Sequence, residues 1–217
     1  MPRIPESAVL TWDERKRQID GGMSAGNLTI LDVLMYFGFR EWEFQGDLQM
    51  LQRQVTGDWV KREEFQRENL LAPFEGILRK DIGLPIRFIP DEVEGDVFNV
   101  TGRFEFHPIS TEYGDNIALF GEKPDPPKNI QGGGGSGDLN SFLNYVSHLI
   151  NIRIINKGVS DAGQNLQWRQ HSTAEISKLR TNTALIDTLL ENISKQMSLR
   201  FQRDRQREHV WLIKTDN

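Results

Sequence analysis

The sequence predicts an α+β protein made of two duplicated two-layer modules joined by a Pro/Gly-rich linker. Three observations carry this prediction. Residues 21–103 and 132–214 share a pattern spaced about 111–113 residues apart. Within each copy the apolar spacing alternates between helical and strand-like periods. Each copy also places a tryptophan (Trp59, Trp168) before a long helical run, an Arg-Phe pair (Arg87-Phe88, Arg200-Phe201) and a closing apolar run. The order helix, strand, strand, helix, strand, strand gives each helix a sheet to cover, hence two layers. The expected division is a polar lead-in at 1–20, a first α/β module at 21–106, a linker at 107–137 and a second module at 138–217.

In the lead-in, Leu10-Thr11-Trp12 reads as a short strand and Asp13 to Asp20 as a charged helical turn. In the first copy, Leu28, Leu31, Leu34 and Met35 have helical spacing, with Asn27 as the expected N-cap. Arg40 to Phe44 alternates like a half-buried strand that ends at Gly46-Asp47. Thr56 to Val60 is a second strand. A helix is expected from about Glu63 to Asp81, interrupted at Pro73 and stopped by Gly83. Ile86 to Ile89 and Val97 to Val100 then read as a hairpin turning through Pro90 to Asp96.

The second copy repeats this order. Leu139, Phe142, Leu143, Val146 and Ile150 mark its first helix, with Asp138 as the cap. Ile152 to Ile155 and Leu166 to Trp168 are strands, and Ile186, Leu189, Leu190, Ile193 and Met197 mark the long helix. Leu199 to Phe201 and Val210 to Ile213 form the last hairpin. Between the copies, Pro124 to Pro127 reads as stiff chain and Gly132 to Gly137 as flexible chain. That glycine run resembles a fusion linker, yet the first copy also opens on glycines (Gly21-Gly22, Gly26), so a native origin and an artificial one both stand.

Composition narrows the function classes. The chain has 217 residues, no cysteine and a formal charge of −5. Disulfides, thiolate catalysis and cysteine-bound zinc are therefore ruled out. Residues 1–130 hold 15 basic against 23 acidic side chains, and residues 131–217 hold 11 against 8. An acidic chain with one mildly basic half lacks the concentrated cationic face that nucleic acid requires. No run reaches the roughly 18–20 apolar residues of a membrane span, so no membrane insertion is expected. Met1 to Pro5 contains no apolar signal core, so this chain carries no secretion address.

No motif demands a cofactor. His107, His148, His171 and His209 lack a partner at metal-ligand spacing. His171-Ser172 with Asp161 has no nucleophile-elbow glycines. Gly132 to Gly137 lacks the Lys-Ser/Thr of a phosphate loop, and Asp138 would repel a phosphate. Glu63, Glu64 and Glu68 read as a solvated helix face. Trp42, Trp59, Trp168 and Trp211 read as core, with an exposed sugar-stacking platform as the alternative. One contrast stands out. The turn expected in the first copy is acidic (Asp91, Glu92, Glu94, Asp96), and its counterpart in the second is arginine-rich (Arg203, Arg205, Arg207). Opposite charges at corresponding places point to head-to-tail docking, within one chain or between chains.

Leu185 to Leu190, Met197 to Phe201 and Val210 to Ile213 resemble the secretin and TonB N-terminal short domain. There, a helix with paired leucines runs into a strand, a charged turn and a closing strand. Leu139 to Leu143 and Ile152 to Ile155 resemble its opening helix and strand, and the first copy follows it through Phe74 to Leu78, Leu84 to Phe88 and Val97 to Val100. Pro73 and the insert at Asp47 to Gln54 depart from the pattern. Thr56 to Val60 and Thr101 to Phe104 also resemble uncharacterised proteins of soil and planctomycete bacteria associated with membrane sensor peptidases. The resemblance implies a non-enzymatic, periplasmic module that docks to protein partners or to itself. A cytoplasmic location, a carbohydrate- or peptidoglycan-binding module and a hydrolase stay open as alternatives.

Overall fold

The computed structural model describes residues 9–12, 28–55, 58–61, 66–111, 114–120, 133–170, 178–179 and 182–215. The protein is mixed α/β and forms two compact units. The first is Met1–Val93 with Arg207–Asn217, and the second is Glu94–Gln206. The first unit is assembled from two separate segments of the chain, and the second is one continuous segment.

In the first unit, strand β1 (Val9–Trp12) pairs antiparallel with β3 (Asp58–Lys61). Helix α1 (Ile30–Phe37) is capped by Thr29, not by Asn27, which lies outside the described residues. Thr29 Oγ1 accepts from the Asp32 N–H, and the Asp32 carboxylate accepts from the Thr29 N–H at 2.7 Å. This reciprocal pair satisfies two otherwise unpaired donors. The alternating run at Arg40 is a short 3-10 turn, and β2 is confined to Phe44–Gly46. The cause is Glu43, whose carboxylate bends back to accept from the Arg40 N–H at 2.6 Å and from Arg67.

Helix α2 (Glu68–Lys80) passes through Pro73 without interruption. Proline forgoes one helical bond, but Leu70, Phe74 and Leu78 on the same face are at most 1% exposed. Phe74 meets Phe37 and Trp59 edge to face and stacks on Phe88.

In the second unit, α3 (Leu139–Ile150) is capped by Asp138, whose side chain accepts from the Ser141 N–H. Its partner helix α4 covers Thr183–Met197. The span expected as linker carries three strands: β5 (Ile109–Thr111), β6 (Gly114–Ala118) and β7 (Gly133–Gly137). With β9 (Leu166–Gln170) they form a sheet ordered β5-β6-β9-β7. Ile117 and Leu119 are fully buried, and Gln196 of α4 clamps Ala118 by bonds to both its N–H and its carbonyl. The glycine run is likewise packed. A Cβ on Gly135 would lie 2.7 Å from the Trp168 ring, and one on Gly134 would collide with the Trp168 carbonyl oxygen.

The two expected hairpins are absent. β4 runs unbroken over Ile86–Gly102 and β10 over Leu199–Thr215. In the first unit β10 pairs in parallel with β2, Trp211 opposite Phe44. In the second, β4 pairs in parallel with β8 (Arg153–Asn156), Val97 opposite Arg153. The C-terminal run of β10 therefore pairs within the first unit, and the C-terminal run of β4 within the second. The physical reason is compositional. A ribbon exposed on both faces has the charged, glycine- and proline-containing make-up of a turn, so Pro90 to Asp96 imitates one.

Candidate interaction site

β4 and β10 are antiparallel neighbours, because the facing residues advance along one strand as they recede along the other. In the second unit Asp96 faces Arg205 at 3.7 Å, Arg203 lies over the Phe98 ring at 5.4 Å, and Gly102 approaches the Ser198 carbonyl. Asn99 donates to the Asp204 carboxylate at 2.9 Å. In the first unit Glu92 faces His209 at 3.4 Å. Among the acidic residues predicted from sequence, Asp96 and Glu92 thus meet basic side chains across the ribbon. Asp91 accepts from the Glu92 backbone N–H, and Glu94 and Arg207 stand exposed.

His209, Asn99, Phe98 and Asp204 also take part, although no motif marks them. Their signal is cross-strand register, which only a continuous strand reveals. The Asp96–Arg205 pair is about half exposed on either side, so its worth is about 0–1 kcal/mol. Asp204 is held below the usual carboxylate range, first by the Gln206 amide, then by the Arg205 N–H and Asn99. The ribbon thus sets opposite charges against one another across its two strands, which favours this register.

Among the described residues, the candidates Asp161 and Glu68 already have partners. Asp161 accepts from the backbone of Leu139 and Gly163, while His171 and Ser172 lie outside the described residues, as do Glu63 and Glu64. Glu68 pairs with Arg67. Among the described residues no cluster of three or more His, Asp or Glu is placed to hold a metal, and no helix is long and apolar enough to cross a membrane. Trp59 and Trp168 are buried, so neither offers a face to a sugar; Trp211 is half-buried and meets Phe39 edge to face.

A shallow groove of about 420 Å3 lies in the second unit, between α4 and the β-ribbon, lined in part by Phe98, Asp187, Glu191, Arg200 and Phe201. Glu191 is held below its ordinary value by Lys195 at 2.7 Å. A general acid at neutral pH needs the opposite shift.

The first unit contains one tightly built ion pair. Arg67 clasps Glu43 at 2.7 and 2.9 Å, donates to the Gly38 carbonyl and lies over the Phe39 ring. Burial alone would lower the Arg67 pKa, but the Glu43 and Glu68 bonds and charges outweigh it and raise it. This fork fixes the loop after α1 to the start of α2. No protein-family model, no curated protein and no solved structure matches this chain.

Proposed function

We propose that this chain is a non-enzymatic protein-interaction or scaffold module of a bacterial envelope system. In this reading it consists of two duplicated modules, related to the secretin and TonB N-terminal short domain, that associate head to tail through complementary charged segments. One observation carries it: the acidic stretch of β4 and the arginine-rich stretch of β10 lie antiparallel with Asp96 against Arg205. The duplication draws support from the strands themselves. Both span 17 residues, start 113 residues apart (86 and 199) and bury nearly the same positions.

The test is the solution mass by light scattering over a salt series. The chain is expected to form multimers at low salt that dissociate as the Debye length shrinks toward about 3 Å near 1 M. Replacing Arg203, Arg205 and Arg207 by Glu should abolish them, and adding Asp91→Lys, Glu92→Lys, Glu94→Lys and Asp96→Lys should restore them. A chain monomeric at every salt concentration removes self-assembly through these segments and turns the search to a separate partner, starting with Arg203, Arg205 and Arg207.

A further inference from the structure

We propose that the groove between α4 and β10 binds the carboxyl-terminal residue of a partner peptide, and that this residue is arginine. The groove holds about 420 Å3, and the residues that line it all belong to the second unit. Its floor is apolar and fixed. Phe98, Leu190 and Leu199 are at most 4% exposed and belong to the core of the unit, and the half-buried Phe201 packs against that core. Such a floor takes the alkyl stem of a long side chain. It also suits a guanidinium, since Arg203 of the same strand already lies over the Phe98 ring at 5.4 Å.

The two walls carry charges of opposite sign. Asp187 on α4 and Arg200 on β10 are exposed, and neither forms an ion pair with a described residue. The other polar side chains of the groove are engaged. Glu191 pairs with Lys195 at 2.7 Å, and Ser194 Oγ donates to the Leu190 carbonyl at 2.8 Å. A ligand that satisfies both walls therefore carries one cation and one anion, joined by an apolar stem. A carboxyl-terminal arginine has this make-up: its guanidinium meets Asp187 and its carboxylate meets Arg200. Lysine fits less well, because an ammonium neither stacks on a ring nor offers a planar pair of N–H groups to a carboxylate. Free arginine also fits less well. Its α-ammonium is a second cation with no carboxylate left to receive it, whereas in a peptide that nitrogen is an uncharged amide. The site extends the protein-interaction reading and does not depend on self-association. A chain monomeric at every salt concentration can still hold the peptide, and a chain that ignores the peptide can still self-associate.

The test titrates the full 15N-labelled chain with N-acetyl-Gly-Gly-Arg bearing a free carboxylate, followed by two-dimensional NMR. Saturable shifts are expected at Asp187, Leu190, Arg200 and Phe201, with a dissociation constant below about 1 mM. Two altered peptides remove one charge each: citrulline in place of arginine, and an amidated carboxyl end. Each should weaken binding about tenfold. In the chain, Asp187→Asn should make the arginine and citrulline peptides bind alike, and Arg200→Gln should do the same for the free and amidated ends. A general loosening of the fold would not produce this crossed pattern. The proposal is overturned if no peptide shifts the groove, or if the citrulline or amidated peptide binds the unaltered chain as well as the first. Tighter binding of free L-arginine than of the peptide overturns it too. The peptide series uses the unaltered chain, so it decides even if a variant fails to fold.

Discussion

Trp59 and Trp168 each anchor a strand, one in each unit, and are held by different neighbours. Trp59 on β3 is fully buried and packs edge to face on Phe74, from the second helix of its unit, at 5.0 Å. Trp168 on β9 packs on Phe142 and Tyr145, from the first helix of its unit, at 5.3 and 5.5 Å. The outer strand differs as well. Thr11 of β1 pairs with Trp59, whereas Gly135 of β7 pairs with Trp168. Both indole N–H groups are buried without a hydrogen-bond partner. One anchoring residue is thus served by two packing arrangements, and in the second the ring lies across a strand that has room only for glycine.

The most severe challenge to this contrast is to remove the anchors. Trp59→Ala and Trp168→Ala should each cost about 3–5 kcal/mol, the usual range for a large aromatic deleted from a core. Thermal unfolding measures the sum, and hydrogen exchange locates it. Loss of protection is expected around α2 for the first variant and around α3 for the second. Equal loss in both units from either variant would contradict the separate cores.

The glycines come next. Gly135→Val forces a branched side chain against the Trp168 ring and should cost about 1–3 kcal/mol. Gly76 in α2 is the counter-case, since a Cβ there meets nothing within 4 Å. Gly76→Ala should stabilise by about 0.5–1 kcal/mol. A freely flexible glycine run would tolerate Gly135→Val with no change in the unfolding midpoint.

These glycines also show where reading the sequence stops. Composition cannot separate a flexible linker from a strand flattened under a tryptophan, because both call for glycine. The helices are legible because they have one wet face and one dry face: Leu139, Phe142, Leu143, Val146 and Ile150 fall on the dry side of α3, and Asp138 caps it as its side-chain chemistry requires. Asn27 reads as the cap of α1 by residue type alone, and Thr29 takes the role because the capping box depends on Asp32 three residues on. The charge contrast of Asp91 to Asp96 against Arg203 to Arg207 is legible, but the path of the chain through it is not. Turn and two-faced ribbon share a composition, and only the pairing of Val97 with Arg153 and of Trp211 with Phe44 separates them. The roles of His209 and Asn99 follow from that pairing and so are hidden with it.

A smaller effect is expected at the first helix of the first unit. Thr29→Ala removes the acceptor for the Asp32 N–H and should cost about 1 kcal/mol. Thr29→Asn should recover most of it, because Asn caps as well as Thr does. Urea unfolding of the two variants measures both.

The smallest expected difference between the units is the response to acid. In the second unit Asp138, Glu191 and Asp204 are each held below their ordinary values, Asp138 by the Ser141 side chain and backbone, Glu191 by Lys195 and Asp204 by the Gln206 amide. In the first unit Glu68 is lowered, chiefly by a backbone hydrogen bond and then by Arg67. A carboxylate whose folded pKa lies below its unfolded value stabilises the fold fully above the unfolded pKa. That contribution is lost as the pH falls through the folded one. Protection in the second unit should therefore decline earlier and further than in the first as the pH drops below about 4.5. All four groups sit near the surface, where solvent screens them, so the difference should be modest. Hydrogen exchange at pH 5 and pH 3, corrected for intrinsic rates, resolves it unit by unit. Asp204→Asn should narrow the gap by removing one of the three acid-sensitive contributions on the side where they are concentrated. A first unit that loses protection before the second would mean that carboxylates other than these govern the acid response.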